Sequence, residues 1–193
     1  MTRLPYIKKE TLDEEGSALW DGLVETRGIQ LVNDKGAMAG PFNAWMHAPG
    51  IGRPASRLGS VLRFGTSIER RLLEMAIITV GAHWKSEFEW WAHARMASDH
   101  GISDSVITAV GNGDIPDFDN QDEQVVHSVA KQLIETGRID DDLYQTAVEI
   151  LGHKGMVEVV SLCGYYTMIS FTLNAFNVPL PPGVEERWPN QGR

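Results

Sequence analysis

Apolar residues recur along this chain at intervals of three and four, and almost nowhere in strict alternation, so the pattern predicts helices rather than strands. The clearest run is "IERRLLEMAIITV" (68–80), where Leu72, Leu73, Ala76, Ile77 and Val80 share one face. "GAHWK" (81–85) breaks the pattern, and a second helix is predicted over about 87–99, closed by Gly101, a residue suited to the turn beyond a helix C-terminus. Earlier in the chain, 11–27 carries Leu12, Leu19, Trp20 and Leu23 at helical spacing, with Thr11 and Asp13 as candidate caps. The Gly-rich stretch 28–41 reads as loop. A short helix is predicted to start at Pro41 and stop at Pro49-Gly50, and another to cover 53–67. Further on, 103–113, 122–137 (closed by Gly137) and 140–152 (capped by Asp140) read as amphipathic helices. The long apolar stretch 154–176 reads as a buried helix, and a proline-rich tail follows. A helix apolar on nearly every side must be covered on every side, so the expected architecture is an all-α bundle that assembles as an oligomer.

Composition narrows the function. Of 193 residues, 42% are hydrophobic, enough for a real core, and the formal net charge is −9. That balance disfavours nucleic acid, whose partners normally present a basic face, and charge-driven docking on anionic lipid. The single cysteine, Cys163, cannot close an intramolecular disulfide. A polar N-terminus and the lack of eighteen consecutive apolar residues predict no signal peptide and no membrane span. A cytoplasmic protein with a small-molecule substrate is the expectation. Walker-type loops, G-x-G-x-x-G and G-x-S-x-G are absent. No His-x-x-x-His pair occurs, and neither a cofactor nor a metal is expected.

The chemistry concentrates in "SEFEWWAH" (86–93). Ser86 and Glu89 have capping-box spacing, which would make the stretch a helix start and little more. The same helix puts Glu89 and His93 four apart on one face, where a carboxylate fixes the imidazole tautomer and raises its pKa. Glu74 lies in the apolar run "LLEMA" one helix earlier. A carboxylate there needs a partner, and a chain reversal at 81–85 would carry it to the Glu89/His93 face. The tryptophans would supply a dry pocket wall.

"ERRLLEMAIITVGAHWKSEFEWWAHARMASDHGIS" and "GMVEVVSLCGYYTMISFTLNAFNVPLPPG" resemble the core motif and the closing helix of the carboxymuconolactone decarboxylase family, which includes the alkylhydroperoxidase-like proteins. The resemblance spans about 40–183. It implies an all-α alkylhydroperoxidase-like bundle, trimeric or hexameric, with sites near subunit interfaces. In the peroxidase branch a glutamate is followed by Cys-x-x-Cys and a histidine. Here Glu74 and His93 occupy the outer positions, while Ser86 and Glu89 stand where the cysteines would be. Thiol peroxidase chemistry needs an attacking and a resolving thiol, so the match points to the decarboxylase branch.

The expected organisation is one domain, 1–193, with a core at about 40–183, a helical extension 1–39 and the tail 177–193. The expected function is cofactor-independent acid–base catalysis, decarboxylating or isomerising a small unsaturated lactone or cyclic keto acid in the catabolism of aromatic or related compounds. His93, Glu89 and Glu74 are the candidate catalytic residues. Ser86, Trp90, His47 and Tyr165 are the candidates for holding substrate. Arg57, Arg63, Arg70 and Arg71 each could grip a carboxylate, and nothing in the sequence chooses among them. The alternatives are a peroxidase-like oxidoreductase without the thiol pair and a non-catalytic oligomeric binding module.

Overall fold

The computed structural model describes residues 2–189. They form eight α-helices: α1 (Glu14–Arg27), α2 (Phe42–Met46), α3 (Pro49–Phe64), α4 (Arg70–His83), α5 (Glu87–Asp99), α6 (Asp104–Asn112), α7 (Gln121–Thr136) and α8 (Asp141–Ala175). Among the described residues, β pairing is limited to two isolated bridges, Lys8 with Ala37 and Val32 with Met38. The starts of three helices are set by side chains: Asp13, Ser103 and Asp140 accept the backbone N–H groups of Gly16, Val106 and Leu143. Each such cap satisfies an otherwise orphaned donor and contributes about 1 kcal/mol.

α4 is the centre. Every residue from Leu72 to Gly81 is buried, because α5, α6, α7 and α8 all pack on it. Met75, Ile77, Ile78 and Val80 meet a core that includes Val126 and Val129 of α7 and Val159 and Leu162 of α8. Each large apolar side chain removed from water there contributes roughly 1.5–3 kcal/mol.

Three expectations from the sequence change, and one division holds. Pro49 starts α3 instead of ending the preceding helix; proline is at home in a first helical turn, where no N–H is needed. The break at 81–85 shrinks to a turn, since α4 continues through His83. The two helices expected at 140–152 and 154–176 are the two arms of α8, divided by a kink at Gly152, whose non-helical φ of 68° and ψ of 169° suit glycine. The capping box at Ser86 does not form: Ser86 makes no side-chain cap bond, and its hydroxyl is buried without a partner.

α8 is also the one described helix long and apolar enough, by composition alone, to cross a bilayer. It packs against α3, α4, α5 and α7, which makes it a core helix of the bundle. The tail turns back over its own chain, with Arg187 and Trp188 lying on α5 and α6; residues 190–193 lie outside the described part.

Candidate active site

The site begins with the reversal between α4 and α5. Lys85 adopts φ 47°, and the Ser86 N–H donates to the Gly81 carbonyl at 2.9 Å. α5 therefore folds back along α4 and brings His93 to Glu74, nineteen residues earlier. His93 Nδ1 donates to Glu74 Oε2 at 2.6 Å. On its other side Nε2 lies 3.1 Å from Glu89 Oε1, an ion-pair approach whose angle leaves that oxygen without a hydrogen-bond donor. Behind Glu74, Arg70 Nη2 sits 2.9 Å from Oε1. Arg70, Glu74, His93 and Glu89 thus form one alternating row of charges.

All three central groups are nearly or fully removed from solvent: Glu74 is 0% exposed, Glu89 4% and His93 5%. Burial by itself would push the His93 pKa down; the Glu89 charge and the Glu74 hydrogen bond outweigh it and raise the value to about 9. Burial likewise opposes ionisation of Glu74, but the His93 bond and the charges of His93 and Arg70 hold its pKa below the usual value. At neutral pH His93 is therefore an imidazolium held on an ionised Glu74. The ring meets Tyr166 edge-on at 5.2 Å, and burial raises the Tyr166 pKa well above that of a free phenol, so Tyr166 stays a neutral hydroxyl.

Glu89 and His93 form part of the wall of a cavity of about 1140 Å³, room enough for a small organic molecule. Arg27, Arg63, Tyr165 and Tyr166 also line it, and the stretch Val178–Pro182 of the tail closes part of its rim. Gly40 (φ 58°) lets the Phe88 ring approach, since a side chain at that position would meet the ring at 2.9 Å. Phe88 and Trp91 stack edge-on at 5.3 Å along the same wall.

Of the sequence candidates, the structure brings together Glu74, Glu89, His93 and Tyr165, with Glu74 behind the imidazole and the other three on the cavity. Three others stand elsewhere. Ser86 is fully sealed in the core at the α4–α5 turn. Trp90 is packed under the tail, 5.4 Å from the Trp188 ring and 4.9 Å beneath the Arg187 guanidinium; Trp91, the next residue of α5, lines the cavity instead. His47 is exposed, and its Nε2 bonds the Pro5 carbonyl at 2.9 Å, which ties down the N-terminal segment. Among the four arginines, Arg70 is bound to Glu74 and Arg71 to Asp122 and Glu123, Arg57 is exposed, and Arg63 alone reaches the cavity. Arg27 was not singled out by the sequence. Its place in the last turn of α1 reads as a favourable cation at a helix C-terminus, which conceals a second use.

Cys163 is buried at 3% exposure, and burial pushes its thiol pKa up to about 12. It is no thiolate at neutral pH. Among the described residues no group of three or more His, Cys, Asp or Glu is placed to hold a metal ion.

No protein-family model matches the sequence, and no curated protein does either. Solved structures match the fold. A protein from Ralstonia eutropha JMP134, described as an alkylhydroperoxidase AhpD core and an uncharacterized peroxidase-related protein, superposes with a TM-score of 0.74 at 11% identity over 94% of this chain and 93% of its own. An uncharacterized peroxidase-related protein from Silicibacter sp. TM1040 gives 0.70 at 13% identity over 94% and 92%. A protein of unknown function from Agrobacterium tumefaciens, linked by its description to antioxidant defence and AhpD, gives 0.62 at 18% identity over 74% and 97%. The chain has the AhpD-like helical fold; at these identities the likeness is one of fold.

Proposed function

We propose that this protein is a cofactor-independent acid–base enzyme whose proton carrier is His93, acting on a small unsaturated lactone or cyclic keto acid and working as a homotrimer or homohexamer. The observation that carries the reading is the Glu74–His93–Glu89 row on the wall of the cavity. A protonated imidazole buried between two carboxylates is a group prepared to hand over a proton and take it back.

In a decarboxylation the bond between the ring carbon and its carboxylate breaks, CO2 leaves, and the electron pair passes into the adjacent carbonyl as an enolate. His93 then delivers its Nε2 proton to the carbanionic carbon, and Glu74 holds the ring and its Nδ1–H in place throughout. In an isomerisation Glu89 removes a proton next to the carbonyl and His93 returns one elsewhere on the enolate. Buried charges close to the reacting atoms stabilise the developing charge more strongly than water would.

The neighbours' descriptions favour peroxidase chemistry as a second reading. The thiols that such a route uses are absent at Ser86 and Glu89, and Cys163 is protonated in the core, so the acid–base reading stands ahead of it. The test incubates the purified protein with butenolide and cyclic keto acids and, separately, with hydrogen peroxide and a thiol reductant. Release of CO2 or isomerised product, lost in His93→Gln, is the expected result. Peroxide consumption without any acid turnover would move the protein to the second reading, and turnover unchanged in His93→Gln would end the first.

A further inference from the structure

Two guanidinium groups reach the cavity from the ends of different helices, Arg27 from the last turn of α1 and Arg63 from the last turn of α3. Among the described residues neither meets a carboxylate within ion-pair distance. The partners they do have are neutral. Arg27 Nη1 reaches Ser56 Oγ at 3.3 Å and Thr26 Oγ1 at 3.4 Å, and the group lies 5.4 Å from the Phe42 ring centre. Arg63 Nη2 points at the Met96 sulfur at 3.4 Å, and its buried Nε has no hydrogen-bond partner. Arg70 and Arg71, on the neighbouring helix, are engaged with acidic side chains, whereas these two cavity-lining groups are not.

The two groups also feel each other. Burial lowers the Arg27 pKa, and the charge of Arg63 adds to the lowering. Both bear on Tyr165, whose hydroxyl occupies space that a side chain at position 59 would fill: a Cβ on Gly59 would lie 2.2 Å from it. Two like charges lining one cavity, each partly out of water, are unfavourable unless an anion joins them. A guanidinium offers the forked donor geometry that fits carboxylate or phosphate oxygens.

We infer that Arg27 and Arg63 form an anion subsite that grips the acid group of a small-molecule ligand, a carboxylate or a phosphate, while the ligand's remaining part extends toward Glu89 and His93. The placement toward Glu89 and His93 rests on the acid–base reading; the anion grip does not. Arg27 is supplied by α1, whose Leu19, Trp20 and Leu23 are packed into the core.

Calorimetric titration of the full-length protein with succinate, inorganic phosphate and uncharged succinamide tests the subsite directly. Succinate or phosphate binds, and whichever is tighter identifies the acid group. Affinity falls with rising salt, and succinamide binds at least tenfold more weakly. Arg27→Gln and Arg63→Gln each weaken the anion tenfold or more, while Arg27→Lys and Arg63→Lys recover part of it, which separates lost charge from lost folding. Arg95→Gln, on the exposed rim beside Asp99, changes affinity less than twofold. Anion binding is read without turnover, so a failure of the proton chemistry leaves the subsite standing. Equal binding of succinamide, unchanged affinity in both glutamine variants, or no binding of either anion would overturn the inference.

Discussion

His93 takes its character from two carboxylates that hold a proton on it where burial alone would remove it. Its folded pKa of about 9 lies above the ordinary 6.5, so the imidazolium stabilises the fold fully below about pH 6.5 and loses that contribution as pH rises through 9. Glu74 has the opposite sign: its pKa is depressed below 4.5, so its contribution is present above that pH and is lost as acid protonates it. Melting temperature measured from pH 4 to 10 is expected to fall at both ends, and His93→Gln is expected to flatten the alkaline limb. In the proposed chemistry the same proton sets activity. With a confirmed substrate, kcat/KM is expected to decline above about pH 9, and His93→Gln to lower it about 100-fold or more. Ser86 gives a sharper check on the capping reading. A functioning capping box would make Ser86→Ala cost about 1 kcal/mol. Because the hydroxyl is buried and unpartnered, the variant is expected to melt at the wild-type temperature or higher; a loss near 1 kcal/mol in urea unfolding would contradict the geometry. At this scale the sequence was legible for Glu74, Glu89 and His93, since helical spacing and a carboxylate in an apolar run are local signals. The capping box it also offered at Ser86 and Glu89 does not form, because that spacing is shared by a helix start and by a Glu-His pair one turn on. Trp91 could have been preferred to Trp90: Phe88, Trp91, Ala92 and Arg95 recur at three and four along one face of α5, and Trp90 points away from it.

α5 does two jobs from its first two turns. Glu89 and His93 face the cavity, while Glu87, buried at 3% exposure, accepts the backbone N–H groups of Arg187 at 2.8 Å and Trp188 at 2.7 Å. Arg187 also bonds the Thr108 carbonyl and Asn112 Oδ1, and Trp188 Nε1 bonds the Gly111 carbonyl. This docking holds the segment Val178–Pro182 at the cavity rim. Hydrogen bonds to a charged acceptor contribute roughly 1.5–3 kcal/mol each, so Glu87→Ala is expected to release the tail, seen as faster amide exchange over 178–188 with the α4–α7 core unchanged. Gly111→Ala should act similarly, because its Cβ would lie 2.4 Å from Arg187 Nε. Unaltered exchange in both variants would show that the tail is held by something else. Helix existence was readable from periodicity almost everywhere. What escaped was a boundary where one residue serves two purposes: Pro49 can end or begin a helix. The tail's docking has no periodic signature, since it depends on a lone carboxylate a hundred residues away.

Across the whole molecule, apolar side chains remain exposed on two helices. Leu58, Val61 and Phe64 of α3 and Val157, Val160 and Phe171 of α8 are each at least 42% exposed. Apolar area of this kind on a soluble protein commonly marks a protein interface, which supports the proposed trimer or hexamer. Light scattering is expected to give a mass of three or six times 21.4 kDa, and a charged substitution such as Val157→Glu to lower it; a wild-type monomer at micromolar concentration would refute the assembly. The all-α class followed from the repeat of three and four alone. The cavity did not, because its walls come from α1, α3, α5, α8 and the tail, and no local pattern records which distant elements converge.

The most direct test of the proton-carrier role is exchange in D2O. The protein would be incubated with butenolide and cyclic keto acids in D2O and followed by NMR and mass spectrometry, beside His93→Gln. Deuterium entering carbon next to the carbonyl, or loss of CO2 with deuterium in its place, in the wild type but at least about 100-fold more slowly in the variant, is the predicted result. Exchange at the same rate in both proteins would contradict it.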